Sequence, residues 1–118
     1  MLTSGDVIRV DLGTPVGSEA GMVRPVVVIT GQRVLEHSPQ VLQVVPLTTT
    51  LRGWASEVTI PADPEGGLAA TSAAQCQHVR AISIDRLVEG AGGLGALGNV
   101  GALRLHQIRE TLATLLDI

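Results

Sequence analysis

The stretch G-S-E-A-G-M-V-R-P-V-V-V-I-T, Gly17 to Thr30, changes character at Arg24-Pro25, where a polar glycine-containing segment gives way to a β-branched run. Val26-Val27-Val28-Ile29-Thr30 is almost wholly apolar, which reads as a strand buried on both faces. Pro25 can begin that strand, because an initial position need not donate to the ladder. A full charge, Arg24, therefore stands at the doorstep of a core strand, at the end of a loop running from Gly13 to Val23.

The neighbouring runs fit around this strand. Upstream, apolar Ile8, Val10 and Leu12 alternate with polar Arg9 and Asp11, the pattern of a strand exposed on one side. Downstream, Gln32 to Pro39 reads as a connection holding a short helical turn. Val41 to Leu47 then supplies a third strand, which Pro46 should end or bulge. Ala55 to Ile60 and Cys76 to Ile84 predict further strands, separated by the turn Asp63-Pro64-Glu65-Gly66-Gly67. Asp85-Arg86-Leu87 reads as a short helical or turn element. Leu105, Ile108, Leu112 and Leu115-Leu116 recur at helical spacing, with Asn99 as a plausible cap. The outline is five or more short strands and one C-terminal amphipathic helix, in a single domain over residues 1–118.

Composition narrows the function. The 118 residues are 45% hydrophobic and 16% charged, and Trp54 is the sole aromatic side chain, so the core is aliphatic and stacking of bases on aromatic rings is hardly available. The formal charge of −3 excludes bulk attraction to nucleic acid but leaves room for a local basic patch. A single cysteine, Cys76, cannot form an internal disulfide, which fits a reducing compartment. Asp6, Arg9 and Asp11 interrupt the apolar residues near the start, so neither a signal peptide nor a membrane span is expected, and the location expected is cytoplasmic.

Most candidate chemistries are weak. Gly90-Ala91-Gly92-Gly93-Leu94-Gly95 has the glycines of a dinucleotide loop without its βαβ setting, and turn glycine is the better reading. His37, His78, His106 and Cys76 lack the spacing of a metal site, and no cofactor is expected. Cys76 and His78 would share a face on a regular strand, yet a bland buried cysteine outweighs a nucleophile. His78 reads either as a structural hydrogen-bonding residue or as part of a site floor. Arg24 and Thr48 remain. A guanidinium held at a strand start can pair with phosphate bidentately, and a threonine just past the third strand can present a hydroxyl at the same end if the strands are neighbours. Taken singly, each is better read as ordinary: a solvated arginine and a β-rich turn flank.

Together the segments resemble the MazF/PemK (Kid) family of bacterial toxin endoribonucleases. The resemblance runs through Gly5-Asp6-Val7-Ile8-Arg9-Val10-Asp11-Leu12, Gly17-Ser18-Glu19, Arg24-Pro25-Val26-Val27-Val28 and Val45-Pro46-Leu47-Thr48-Thr49. It continues in Val79-Arg80-Ala81-Ile82, Asp85-Arg86-Leu87 and the closing segment from Leu103 to Leu116. It implies a mainly β fold with helices, a small SH3-like barrel of the MazF/CcdB type closed by the C-terminal helix. It also implies a homodimer and a cognate antitoxin that occupies the groove for single-stranded RNA.

Residue matching implies Arg24 and Thr48 as the catalytic pair. Gly17, Ser18 and Glu19 would form the loop beside the site, and Thr49, Arg52, Gln77 and His78 complete the expected RNA-binding set, with no metal. Gln77-His78 stands where many relatives have an acid-glutamine pair, a departure that bears on base recognition, proton transfer or packing. Two other functions fit the same fold: a CcdB-like toxin that binds DNA gyrase, and a degenerate module that only binds an antitoxin.

Overall fold

The computed structural model describes residues 1–88 and 96–118. The glycine turn expected over Gly90 to Gly95 lies outside the described residues. Within them the strands are β1 (Asp6–Asp11), β2 (Val23–Val28), β3 (Val41–Thr48), β4 (Glu57–Ile60), β5 (Ser72–Gln75), β6 (Arg80–Ser83) and β7 (Gly98–Asn99). Helix α1 (Gln32–Leu35) is the short turn expected after β2, and α2 (Gly101–Leu116) is the C-terminal helix. All strand pairings are antiparallel, in the order β4-β5-β3-β2-β1-β7, with β6 also pairing β3.

The apolar runs follow from the sheet being covered on both faces. Along β2 and β3, alternate residues Val27, Val45 and Leu47 pack with Ile108 and Leu112 of α2. Their neighbours Val26, Val28, Leu42 and Val44 join Ile8, Val10, Leu12, Leu35 and Ile82 in a second core on the other face. Val7 departs from the one-sided pattern of its strand and joins the α2 core, which explains why Val7 and Ile8 are both apolar. Ile108, fully buried at the centre of the α2 core, is the residue on which that core closes. Ile108→Ala is expected to cost about 2–5 kcal/mol, read as a lower urea midpoint at unchanged slope.

The expected closed barrel is not what forms. The fold is a mixed α/β one whose curled sheet is an open half-barrel, its edges 11 Å apart. The end strands β4 and β7 do not pair with each other. The physical reason lies in what occupies the opening. The backbone of Gly66-Gly67, in the Asp63–Gly67 turn that follows β4, packs directly on the backbone of Leu97-Gly98, so a turn rather than the β4 edge meets β7 where a closed barrel would have a ladder. A groove of about 320 Å³ between Ile60, Leu68, Asn99, Val100 and Arg104 marks the same gap.

Four further expectations need correction. Strand β2 starts at Val23, so Pro25 lies inside it, opposite Arg9 of β1. Pro46 neither ends nor bulges β3, which runs on to Thr48; it marks a change of partner, from β6 over Val41–Val44 to β5 at Leu47 and Thr48. The single strand expected from Cys76 to Ile84 is a 3-10 turn, Cys76–His78, followed by β6. Of the predicted helix stripe, Leu105, Ile108 and Leu112 are buried while Leu115, which lines a shallow groove with Ala55 and Ser56, and Leu116 are exposed. Asn99 stands one residue before the N-cap, Val100, its Oδ1 accepting from Gly101 N at 2.8 Å while its Nδ2 donates to Asp6 Oδ1 at 3.0 Å.

Candidate active site

Register builds the site. Strands β2 and β3 pair Val28 with Val44, Val27 with Val45 and Val26 with Pro46, and continuing that count sets Arg24 opposite Thr48. The strands expected only conditionally to be neighbours are adjacent. Side chains alternate faces along a strand, so Arg24 and Thr48 share the face of Val26, Val28 and Val44, opposite α2. Thr48 pairs with Ala73 of β5, and Gln75 of β5 pairs with Glu57 of β4, which brings the ends of four strands together on this face.

Pro25 keeps this end open. In β2 the backbone groups of Val27 and Ile29 point toward β3, as the bond from Ile29 N to Gln43 O shows, and Pro25 has the same parity. It has no N–H to return to β3, so the ladder stops there. Pro46, of opposite parity, faces the turn Cys76–His78 between β5 and β6, again where no donor is required.

The side chain of Arg24 is half-buried and held from two sides. Its Nε donates to Gly21 O at 2.9 Å, in the β1–β2 loop, and its Nη1 to Gln75 Oε1 at 3.4 Å. Among the described residues no carboxylate pairs with it. Thr48 Oγ1 accepts from Thr50 N at 3.1 Å, which orients the hydroxyl and leaves its proton free to donate. Thr49 is exposed directly after β3.

Behind Arg24 lies a residue the sequence did not single out. The Glu57 side chain is 2% exposed, and its Oε2 accepts from Arg52 Nη1 at 3.0 Å, Gln77 Nε2 at 2.7 Å and Gln75 Nε2 at 3.5 Å. Arg52 also lies over the Trp54 ring, 4.7 Å from its centroid. Gln75 and Glu57 were missed because a lone acid in a short strand carries no signal of its cross-strand partner. Two glutamines at alternate positions, Gln75 and Gln77, were the one available hint.

The other expected residues divide between two places. Glu19, Gln77 and His78 line a groove of about 700 Å³ with Leu12, Gly13, Arg80 and Arg86. Arg80 and Arg86 donate to Leu12 O at 3.3 Å and Asp11 O at 3.1 Å, so two cations brace the start of the β1–β2 loop. Gly17 and Ser18 are exposed at the tip of that loop, where Gly17 has a left-handed φ of 58°. Asp6, in the opening motif, is structural: it accepts from Thr3 N at 2.7 Å as well as from Asn99. Arg9 is exposed on β1, away from these contacts.

The nucleophile reading of Cys76 fails. The thiol is buried, burial pushes its pKa up to about 11, and the nearby Glu57 charge adds to the shift. The 3-10 turn also removes the face that Cys76 and His78 would have shared on a strand. His106 pairs with Glu110 on the exposed face of α2. Among the described residues no group of three His, Cys, Asp or Glu side chains could hold a metal ion.

The family model of the PemK-like, MazF-like toxin of type II toxin-antitoxin systems matches residues 3–116. The chain belongs to this family. It is 32% identical over 123 residues to Endoribonuclease MazF9 of Mycobacterium tuberculosis, covering 100% of this chain and 98% of that protein. Among solved structures it resembles MazF from Deinococcus radiodurans, with a TM-score of 0.78 at 22% identity, covering 98% and 96% of the two chains. A mycobacterial endoribonuclease in complex with its cognate antitoxin matches with a TM-score of 0.74 at 24% identity, covering 100% and 97%. Mycobacterium tuberculosis toxin MazF-mt6 gives 0.72 at 25%, covering 96% and 97%. The match falls on the MazF branch, away from the CcdB-like reading. No described helix of this MazF-family toxin is long and apolar enough to cross a membrane.

Proposed function

We propose that this MazF-type toxin, an endoribonuclease by family, cleaves single-stranded RNA with Arg24 and Thr48 as its catalytic pair. The observation that carries the reading is the β2–β3 register, which supports Arg24 and Thr48 acting from one face with the guanidinium free of any described carboxylate. RNA brings its own nucleophile, the 2′-hydroxyl, which attacks the adjacent phosphorus while the 5′-oxygen leaves. The protein's task is to hold that attack in line and to stabilise charge on the non-bridging oxygens.

Arg24 supplies the charge through its planar fork, and Thr48 Oγ1 donates to a second oxygen. The role of Arg24 in this reading is electrostatic rather than that of a general base. The products are a 2′,3′-cyclic phosphate and a 5′-hydroxyl end. Gly17, Ser18 and Glu19 act as a loop beside the substrate, with Thr49, Arg52, Gln77 and His78 along its path. In this reading the chain is one toxin domain over 1–118, acts as a homodimer in the cytoplasm and is neutralised by a cognate antitoxin. The antitoxin complex of the mycobacterial relative supports that partner.

The test is cleavage of diverse RNAs by the pure chain in excess chelator, with every new 5′ end mapped. Cuts sharing a short sequence are expected to persist in chelator. A single deoxyribose on the 5′ side of the scissile phosphate is expected to abolish that cut, because the attacking oxygen is gone. RNA left intact under broad conditions would sink the reading and favour a module that only binds its antitoxin.

A further inference from the structure

We propose that Glu57 is a positioning residue, which orients the Arg24 guanidinium through the Gln75 side-chain amide without touching the substrate. The proposal rests on the role given above to Arg24. Its geometric basis is the polarity of Gln75. That amide presents Oε1 to Arg24 Nη1, at 3.4 Å, and Nε2 to Glu57 Oε2, at 3.5 Å. A cation at one end and an anion at the other both favour this orientation, and a flipped amide would meet like with like at both ends.

Both bonds lie at the long end of the hydrogen-bond range. Cross-strand pairing of Glu57 with Gln75 fixes their relation at the backbone, and Arg52 and Gln77 hold the carboxylate from the other side.

Two observations argue for a role beyond stability. The Glu57 side chain is 2% exposed, yet its Oε1 has no partner among the described residues. A buried carboxylate with an orphaned oxygen is costly, and a neutral side chain would fill the same space with less desolvation. The second observation is the spacing. A carboxylate placed directly on Arg24 would form a bidentate pair and occupy the fork that phosphate needs. One amide between them keeps the orienting influence of the anion while the guanidinium stays available.

The experiment measures cleavage kinetics of a single-stranded RNA oligonucleotide together with the Arg24 Nε–H resonance in arginine-labelled protein. Glu57→Gln and Gln75→Leu are each expected to lower kcat roughly 10- to 100-fold with KM unchanged. Each should also shift or broaden the Arg24 resonance, and the double variant should be no worse than the poorer single one. Glu57→Asp should restore part of kcat. An Arg24 resonance and kcat unchanged in either folded variant, or fully additive losses, would overturn the proposal.

If Glu57→Gln fails to fold, Gln75→Leu alone decides, since it leaves Glu57 paired with Arg52 and Gln77. Should the unmodified chain cut no RNA, the ribonuclease reading fails. The resonance then still decides whether Glu57 positions Arg24.

Discussion

Replacing Arg24 with alanine is expected to lower kcat/KM on single-stranded RNA by about 10³-fold, the cost of removing a preorganised charge from a developing oxyanion. The fold should survive. The Arg24 side chain is half-buried and, among the described residues, bonds only to Gly21 O and Gln75 Oε1, so thermal melting should change little. Arg24→Lys keeps the charge but loses the planar fork, and should recover only part of the rate. Thr48→Ala removes one hydrogen bond to a charged group and is expected to cost roughly 10- to 100-fold. Cleavage at the original rate would transfer the reaction to other residues, whereas a matched loss of folding would make Arg24 a structural residue. Melting curves beside single-turnover kinetics separate these outcomes.

The largest effect on stability is expected at Gly98. A Cβ there would stand 2.0 Å from Gly66 C and 2.2 Å from Gly66 O, and these are backbone atoms, so no rotamer relieves the overlap. Gly98→Ala should cost at least about 3 kcal/mol and lower Tm by about 10 °C or more. Gly31 provides the control, because a Cβ there would have nothing within 4 Å and its φ is −60°; its replacement by alanine should leave Tm nearly unchanged. A Gly98→Ala protein that melts with the parent would mean that the contact between the Asp63–Gly67 turn and β7 gives way easily.

What sequence could reveal depended on how local the cause was. Val26-Val27-Val28 announced a strand covered on both faces because its burial leaves a mark in every residue. The α2 core positions Leu105, Ile108 and Leu112 were legible for the same reason, whereas Leu115 and Leu116 keep the apolar period at the end of the helix and are exposed. The 3-10 turn at Cys76–His78 was hidden, because its cause is the switch of β3 from β6 to β5, a partner's behaviour. The open sheet was equally hidden. Closure depends on what fills the gap, and the Gly66-Gly67 contact with Leu97-Gly98 joins segments some thirty residues apart.

The candidate site shows the same division. Arg24 and Thr48 could be named from motif, and their opposition then follows from strand register. Glu57 and Gln75 could not, since a cross-strand pair is a property of two segments at once. Gln77, expected on the RNA path, donates from Nε2 to Glu57 at 2.7 Å and lines the groove with His78.

Pro25 also ties the distance between Arg24 and Thr48 to the alignment of β2 on β3. A slip of two residues would preserve which faces are apolar and so would cost the cores little by pattern alone, yet it would carry Arg24 about 7 Å past Thr48. In one direction such a slip would set Pro25 opposite Val45, inside the β2–β3 ladder, where the neighbouring strand seeks a donor that proline lacks. Hydrophobic patterning is blind to an even-numbered error, and proline is not. The residue that leaves the ladder unfinished thereby guards strand alignment against one direction of slip.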